Sequence, residues 1–440
     1  MSSAPTIAAI ATGPAAGGIG IIRVSGQQCL EVVRRLCPTV PATVPAREAV
    51  FTRFVGADHS LLDEGLVLYF PAPHSYTGED VVELQVHGAP RVLQVLLQAA
   101  LEVDGVRLAE PGEFTRRAFL SGRIDLARAE AVADLISATS TGAVQAAALQ
   151  LVGGLSKRIE AIREPLVALH ADLEAALDFP EEAEDAELEL GARLEVSWQA
   201  VSQLREAGAA GEVIRRGARV VLYGPVNAGK STLFNRLVGD ARAIVDAEPG
   251  TTRDALEAKL ELSGLGITLV DTAGLREAPG RVEAIGIERA RQALSGADVA
   301  VLVMPPGSTP QQLAAWQAEV PTERRLEVAG KADVSTAAAG GGLRVSGETG
   351  LGLAELRAAL LARLAPGDAA AVLISSERHL SCLAVAAGAL LRAREAAESS
   401  TLEVVAGEVG IALAALGDIT GRDVSADLLD AIFQRFCIGK

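Results

Sequence analysis

At 440 residues the chain exceeds what one ordinary hydrophobic core organises, so two to four domains are expected. A formal net charge of −16 excludes a whole-surface basic footprint for nucleic acid; any RNA contact is local or arranged by a partner. Hydrophobic residues make up 49% and aromatics only 3%, which favours helices packed through small side chains beside a compact α/β part. The four cysteines (Cys29, Cys37, Cys382, Cys437) lack Cys-x-x-Cys spacing and the five histidines form no ligand pattern, which argues against structural zinc and a disulfide framework. There is no signal-like N-terminus and no apolar run of membrane-spanning length, so a cytoplasmic protein with no membrane association is expected.

Residues 1–118 read as a mixed α+β domain. Thr6–Thr12 is strand-like, Gly17–Gly20 reads as a tight turn, and Ile21–Val24 resumes as strand. Gly65–Phe70 and Val81–His87 are further strands, with Glu83 and Gln85 alternating against apolar neighbours and so sharing one face. Between them Pro73–Asp80 is a polar, turn-rich loop, as readily a binding loop as a plain connector. Residues 119–215 turn helical: Ile159, Ile162, Leu166, Leu169, Leu173 and Leu177 form one apolar stripe. That helix ends at Asp178-Phe179-Pro180, and the acidic run Glu181–Asp185 reads as a solvated loop. A helix resumes over Leu190–Ala207.

Residues 216–367 carry the chemistry. Gly224-Pro225-Val226-Asn227-Ala228-Gly229-Lys230-Ser231 lies between the apolar run Val220–Tyr223 and the amphipathic run Thr232–Leu237. That is the strand–loop–helix context of a phosphate-binding P-loop, whose backbone N–H groups face the anion. Lys230 can reach the outer phosphates and the Ser231 hydroxyl can ligate magnesium. Asp271-Thr272-Ala273-Gly274 follows the apolar run Ile267–Val270, where Asp271 can hold magnesium's water shell and the Gly274 N–H can sense a γ-phosphate. Glu248–Asp254 between them supplies a threonine hydroxyl for a switch loop. Gly330-Lys331-Ala332-Asp333 offers a carboxylate to guanine's N–H groups, and Val345-Ser346-Gly347-Glu348 closes over the base. These pieces, in this order, read as a Ras-like GTPase domain.

Two departures stand out. Position 330 is Gly where GTPases usually place an Asn amide; a lost buried hydrogen bond costs about 1 kcal/mol, so weak-to-moderate guanine affinity is expected. Leu275 follows Asp-Thr-Ala-Gly and cannot orient water, so another group must. Asn227 is a candidate for holding a monovalent cation where an arginine finger would sit.

Residues 368–440 return to helix, with stripes at Leu402, Val405, Val409, Leu413 and Leu416 and at Leu428, Leu429, Ile432, Phe433 and Phe436. Neither helical block can bury its stripes alone. The expectation is one discontinuous helical bundle with the GTPase domain inserted in it, against the alternative of three independent domains.

The chain resembles the MnmE/TrmE family of tRNA modification GTPases along its whole length. The likeness rests on Gly17–Arg23, Ser75–Asp80, Pro111–Leu120, the P-loop with Asn227, Gly250-Thr251-Thr252-Arg253-Asp254, and the terminal Phe436–Lys440. The resemblance implies an N-terminal domain that dimerises and binds a tetrahydrofolate derivative (5-formyl or methylene) through Arg23, Glu83, Arg123 and Lys440. It also implies an FAD-dependent MnmG-type partner in a heterotetramer. Together they act on tRNA, adding a carboxymethylaminomethyl or aminomethyl group at C5 of the wobble uridine, driven by potassium-activated GTP hydrolysis.

By the same resemblance Ser231 and Thr252 ligate magnesium, and Asn227, Asp246, Glu248 and Thr251 ligate potassium. Asp246, Ala247, Glu248, Pro249, Gly250, Thr251 and Thr252 line the nucleotide with Asn227, Ala228, Gly229, Lys230, Ser231, Thr232, Asp271, Thr272, Ala273 and Gly274. The base side is Gly330, Lys331, Ala332, Asp333, Ser346 and Gly347. Glu283 matches the residue that positions water, with a solvated charge as the alternative; Cys437 matches a cysteine needed for modification, with an unreactive buried thiol as the alternative. Pro14-Ala15-Ala16 and His87-Gly88-Ala89 depart from the family's Pro-Gly-Arg and His-Gly-Gly. A ribosome-assembly GTPase switch is a second reading, but its usual basic appendage is absent from the sequence; a folate-binding one-carbon enzyme with an idle GTPase domain is a third, against which intact Lys230, Ser231 and Asp271 argue.

Overall fold

The computed structural model describes residues 4–56, 58–179, 184–240, 242–243, 257–272, 282–334, 342–364, 374, 376–422 and 424–440; for 184–189, 209–210, 242–243 and 282–287 it describes backbone alone. Contacts divide the chain into two units, Met1–Ala133 with Thr420–Lys440, and Asp134–Ile419.

In the first unit the chain runs β1 (Thr6–Ile10), β2 (Gly17–Ser25), α1 (Cys29–Leu36), β3 (Val50–Val55), β4 (Leu61–Phe70) and β5 (Val81–Gly88). It continues through α2 (Pro90–Leu101), β6 (Val106–Leu108) and α3 (Glu113–Leu120). Among the described residues these strands form one sheet in the order β3-β4-β5-β2-β1-β6, antiparallel except where β1 meets β6. Helices α1 and α2 cover one face, with Val33, Leu36, Leu93 and Leu96 packed on Val24, Leu84 and Val67. On the other face Phe114 of α3 packs on Ile7 and Ala9, and the Ser75–Asp80 loop covers Arg23 and Ser25 beside them. Cross-strand neighbours share a face, so the register Phe51–Leu66–Gln85–Ile21 continues that face across β3, β4, β5 and β2. Phe51 is 65% exposed on it.

After α4 (Leu126–Ser137) the second unit runs α5 (Thr141–Leu151), α6 (Gly154–Asp178), α7 (Glu184–Arg216), β7 (Ala218–Tyr223), α8 (Lys230–Asp240), β8 (Arg242–Ala243), β9 (Glu257–Leu262) and β10 (Leu265–Asp271). It goes on through α9 (Val282–Ser295), β11 (Val299–Met304), α10 (Pro310–Gln317), β12 (Arg325–Ala329), β13 (Leu343–Arg344), α11 (Leu353–Leu364), α12 (Glu377–Ser399) and α13 (Leu402–Thr420). The sheet order is β13-β12-β11-β7-β10-β9-β8, with β7 between its parallel neighbours β10 and β11. Strand β11 is buried along its length, as a strand covered on both faces must be. Helices from either side of the GTPase block pack together: α12 runs along α7, and Arg394 lies over the Trp198 ring and pairs with Glu195. The stripe of α6 buries Ile159, Leu166, Leu169 and Leu173.

The last helix, α14 (Ala426–Phe433), returns to the first unit. Its Leu429, Ile432 and Phe433, with Phe436, cluster on Leu126 and Ala129. The third apolar stripe is thereby buried beside the N-terminal residues.

Two local expectations change, and one strand is added to those read from the sequence. Gly17–Gly20 is the first part of β2, not a tight turn, with a register shift between Gly17 and Gly20. Glycine is needed for the pairing: a Cβ at Gly88 on β5 would stand 2.5 Å from the Gly17 carbonyl. Strand β3 went unread although Val50-Phe51-Thr52 carries β-branched and aromatic residues. Helix α7 already begins at Glu184, inside the acidic run read as loop, and extends to Arg216; residues 180–183 lie outside those described.

Candidate functional site

Two constellations emerge, one in each unit. In the second, β7 ends at buried Tyr223 and the chain turns sharply into the loop before α8. Gly224 has φ +134°, and a Cβ there would come 2.5 Å from the Val303 carbonyl of β11. Gly229 has φ +97°, the left-handed region that glycine enters cheaply. These two requirements place glycines six and one residues before Lys230, the first residue of α8. Lys230 is only 5% exposed, and its Nζ donates to the carbonyls of Gly224 at 3.1 Å and Pro225 at 2.7 Å. The ammonium is folded over its own loop. Asn227 stands exposed at φ 61° on the same loop, while Ala228 behind it is buried.

Parallel pairing of β10 with β7 sets Asp271 opposite Leu222. Ser231 Oγ donates to Asp271 Oδ2 at 2.6 Å, and the Thr272 hydroxyl donates to the Leu222 carbonyl at 2.9 Å, which pins the chain as it leaves β10. A hydroxyl and a carboxylate held together at the phosphate end are hard oxygen donors of the kind a magnesium ion takes.

On the base side a cavity of about 300 Å³ is lined by Gly229, Leu233, Gly330, Lys331, Asp333 and Ser346, among others. Its two loops are laced together. Val345 N–H donates to the Ala329 carbonyl, Ala332 N–H to the Val345 carbonyl, and the buried Ser346 hydroxyl accepts from Thr349 N–H at 3.2 Å. Gly347 and Thr232 also line the space, and Gly347 packs so closely on α8 that a Cβ would meet Leu233 N at 2.7 Å.

Asp246, Ala247, Glu248, Pro249, Gly250, Thr251, Thr252, Ala273 and Gly274 lie outside the described residues. Glu283 falls in α9, where the backbone alone is described.

In the first unit, Arg23 of β2 and Glu83 of β5 are cross-strand partners. Arg23 donates from Nε at 3.0 Å and Nη2 at 2.9 Å to Glu83 Oε1. The guanidinium also lies 5.6 Å from the Tyr76 ring centre and 5.7 Å from that of Phe114. Phe114 N–H holds the Lys440 carbonyl at 3.2 Å, and Gly112 N–H donates to the Cys437 carbonyl at 3.4 Å, so the chain terminus is tied to the start of α3. Arg123 is exposed beyond α3, and its Cγ lies 3.6 Å from where a Cβ on Gly78 would be. Cys437 is exposed, whereas Cys29 and Cys37 are buried and burial pushes both thiols up to about 12.

A polar network supports this corner. Glu113 Oε1 accepts from Arg107 at 2.6 Å and Arg117 at 2.8 Å; Arg117 also donates to Glu79 Oε2, which accepts from Ser25 Oγ at 2.7 Å. Burial works against the Glu113 charge, but donation from Arg107, the Glu110 N–H and Arg117 outweighs it and holds the carboxyl below its usual range. Glu79 thereby fixes the loop that carries Tyr76. Sequence reasoning assigned no role to Tyr76, Phe114, Glu113 or Arg117; they sit in the Ser75–Asp80 and Pro111–Leu120 motifs, the one signal pointing to them.

Comparison with known proteins matches residues 6–123 to the family model described as the GTP-binding protein TrmE N-terminus, and 126–437 to that of the MnmE helical domain. The tRNA modification GTPase MnmE of Myxococcus xanthus is 58% identical, covering 100% of both chains. That of Neisseria meningitidis serogroup C / serotype 2a is 43% identical, covering 99% of both. Among solved structures, the G domain of the T. maritima FeoB iron transporter is 25% identical over 33% of this chain and 98% of its own, with a TM-score of 0.25.

Proposed function

Because the chain belongs to the MnmE family of tRNA modification GTPases, we propose that it spends GTP to install a carboxymethylaminomethyl or aminomethyl group at C5 of the wobble uridine of certain tRNAs. The one-carbon unit comes from 5-formyl- or methylene-tetrahydrofolate, and an FAD-dependent MnmG-type protein completes a heterotetramer around a homodimer in the cytoplasm. One observation carries the hydrolytic half: Lys230, Ser231 and Asp271 converge where β7 and β10 end.

On GTP binding the Lys230 ammonium exchanges the Gly224 and Pro225 carbonyls for phosphate oxygens. Ser231 and Asp271 would hold the magnesium shell, with Thr252 as the second hydroxyl ligand. Magnesium, when bound, neutralises charge between the outer phosphates. Asn227, with Asp246, Glu248 and Thr251, would hold a potassium ion, which would supply the charge that an arginine finger otherwise brings. Glu283 orients the attacking water.

The folate reading rests on chemistry that fits the ligand. Tyr76 and Phe114 flank the Arg23 guanidinium with aromatic faces, Glu83 is a carboxylate for a pterin's paired N–H groups, and Arg123 and the Lys440 region offer positive charge to the glutamate tail. The half-open sheet face running Phe51–Leu66–Gln85–Ile21 supports dimerisation through this unit. Cys437, exposed beside that corner, acts in the modification and not in hydrolysis.

Mass analysis of tRNA nucleosides from a deletion strain tests the proposal. Loss of the modified wobble uridine, restored by the wild-type gene and not by Lys230→Ala, is expected. An unchanged nucleoside profile after deletion would overturn it and favour the ribosome-assembly alternative.

A further inference from the structure

The base-side cavity differs from the usual guanine pocket at one position, and the consequence concerns which edge of the base is read. Gly330 lines the cavity with no side chain, and its own N–H is already committed to the Met304 carbonyl at 2.8 Å. Position 330 therefore offers the base no donor. Nor is the space beside it open. A Cβ on Gly330 would stand 2.6 Å from the Ala228 carbonyl of the P-loop and 2.9 Å from Val303 Cγ1. Backbone packs directly on backbone where a side-chain strut would otherwise run, and a larger residue requires the P-loop itself to shift.

Thr232 lines the cavity from the first turn of α8, beside the P-loop, and Glu348 adds a second carboxylate, which cannot donate; the remaining polar side chains on this wall divide by their chemistry. Asp333 is a carboxylate and takes two N–H groups from one edge of the ring; it cannot donate to a ring nitrogen acceptor. Lys331, at φ 55°, lays its stem along Gly229, with its Cγ 3.7 Å and its Cε 3.9 Å from where a Cβ there would be, a placement suited to covering the face of a bound ring. Ser346 is 1% exposed, and its hydroxyl braces its own loop by accepting from Thr349 N–H.

We infer that this chain reads guanine along its Watson–Crick edge, through Asp333, and that among the described residues N7 is left without a donor, Gly330 being the residue that sets this one-edged specificity. The inference rests on the guanine-nucleotide reading above and deepens it. A site with no partner for N7 pays nothing when that atom is replaced by carbon, whereas a site built to accept the 2-amino group rejects a base lacking it.

The test is competition against a fluorescent GDP analogue on the full-length protein, using GDP, 7-deaza-GDP, IDP and ADP. We expect 7-deaza-GDP to bind within about twofold of GDP, and IDP and ADP at least about tenfold more weakly. A tenfold penalty for 7-deaza-GDP would overturn the inference, because some donor must then reach N7. Equal binding of GDP and ADP would instead strike the guanine reading itself, so the two failures are distinct. Gly330→Asn supplies a second arm. With the Ala228 carbonyl in the way, it should bind GDP no more tightly than the parent. A folded Gly330→Asn protein that gains tenfold in GDP affinity and becomes sensitive to 7-deaza substitution would contradict the closed packing at this position.

Discussion

Ser231 Oγ and Asp271 Oδ2 stand 2.6 Å apart, joining the first turn of α8 to the end of β10. The contact holds together the two oxygens proposed to serve the magnesium shell. Ser231→Ala should lower magnesium-dependent GTP hydrolysis by about a hundredfold while leaving GDP binding in EDTA little changed. Phosphate-release assays and titration with a fluorescent GDP analogue separate the two.

Lys230→Ala removes an ammonium that is 5% exposed and bonded to two loop carbonyls. Charge-assisted hydrogen bonds contribute about 1.5–3 kcal/mol each, so GTP should dissociate at least about tenfold more readily. Calorimetric titration with a non-hydrolysable GTP analogue reads this directly; unchanged affinity would remove the lysine from the phosphate site.

Arg23 and Glu83 form a partly buried pair, at 18% and 17% side-chain exposure. Arg23→Ala and Glu83→Gln should each abolish measurable tetrahydrofolate binding while sparing GTP turnover. A double-mutant cycle on unfolding should give a coupling of about 1 kcal/mol between the two residues.

Glu113 carries a depressed pKa in the folded chain, set by Arg107, the Glu110 N–H and Arg117 against the cost of burial. A carboxyl lowered on folding contributes stability that is complete above its unfolded pKa, about 4.3, and is lost as pH falls through the folded value. Urea unfolding should therefore show the advantage of the parent over Glu113→Gln shrinking below about pH 4.3. A gap that stays constant to lower pH would refute the assignment.

Burial raises the Cys29 and Cys37 thiols to about 12, while Cys437 is exposed. At about pH 7.5 a maleimide should modify Cys437 quickly and spare Cys29 and Cys37 until the protein is unfolded. Peptide mass mapping of the labelled protein checks the order.

The nucleotide site was legible because its chemistry is written in contiguous motifs. Gly224, Gly229 and Lys230 follow from backbone demands of one turn, and Asp271 from its place at a strand end. The Arg23–Glu83 pairing is another matter: 60 residues separate them, and only the β2–β5 register brings them together. The stripe Leu429–Ile432–Phe433–Phe436 announced an apolar face but not its partner, since periodicity records that a surface is buried and not against what. Gly17–Gly20 misled because glycine serves equally for a turn and for close strand approach. The consequence of Gly330 was likewise hidden until the Ala228 carbonyl was seen against it.

In the proposed reaction this P-loop cleaves GTP with a monovalent cation held by Asn227 in place of a charged finger. Phosphate release from GTP by the purified chain, measured in potassium and in sodium chloride at equal ionic strength, tests it most directly. The account predicts turnover at least about tenfold faster in potassium, an advantage lost in Asn227→Ala. Equal rates in the two salts, or no cleavage in either, would contradict it.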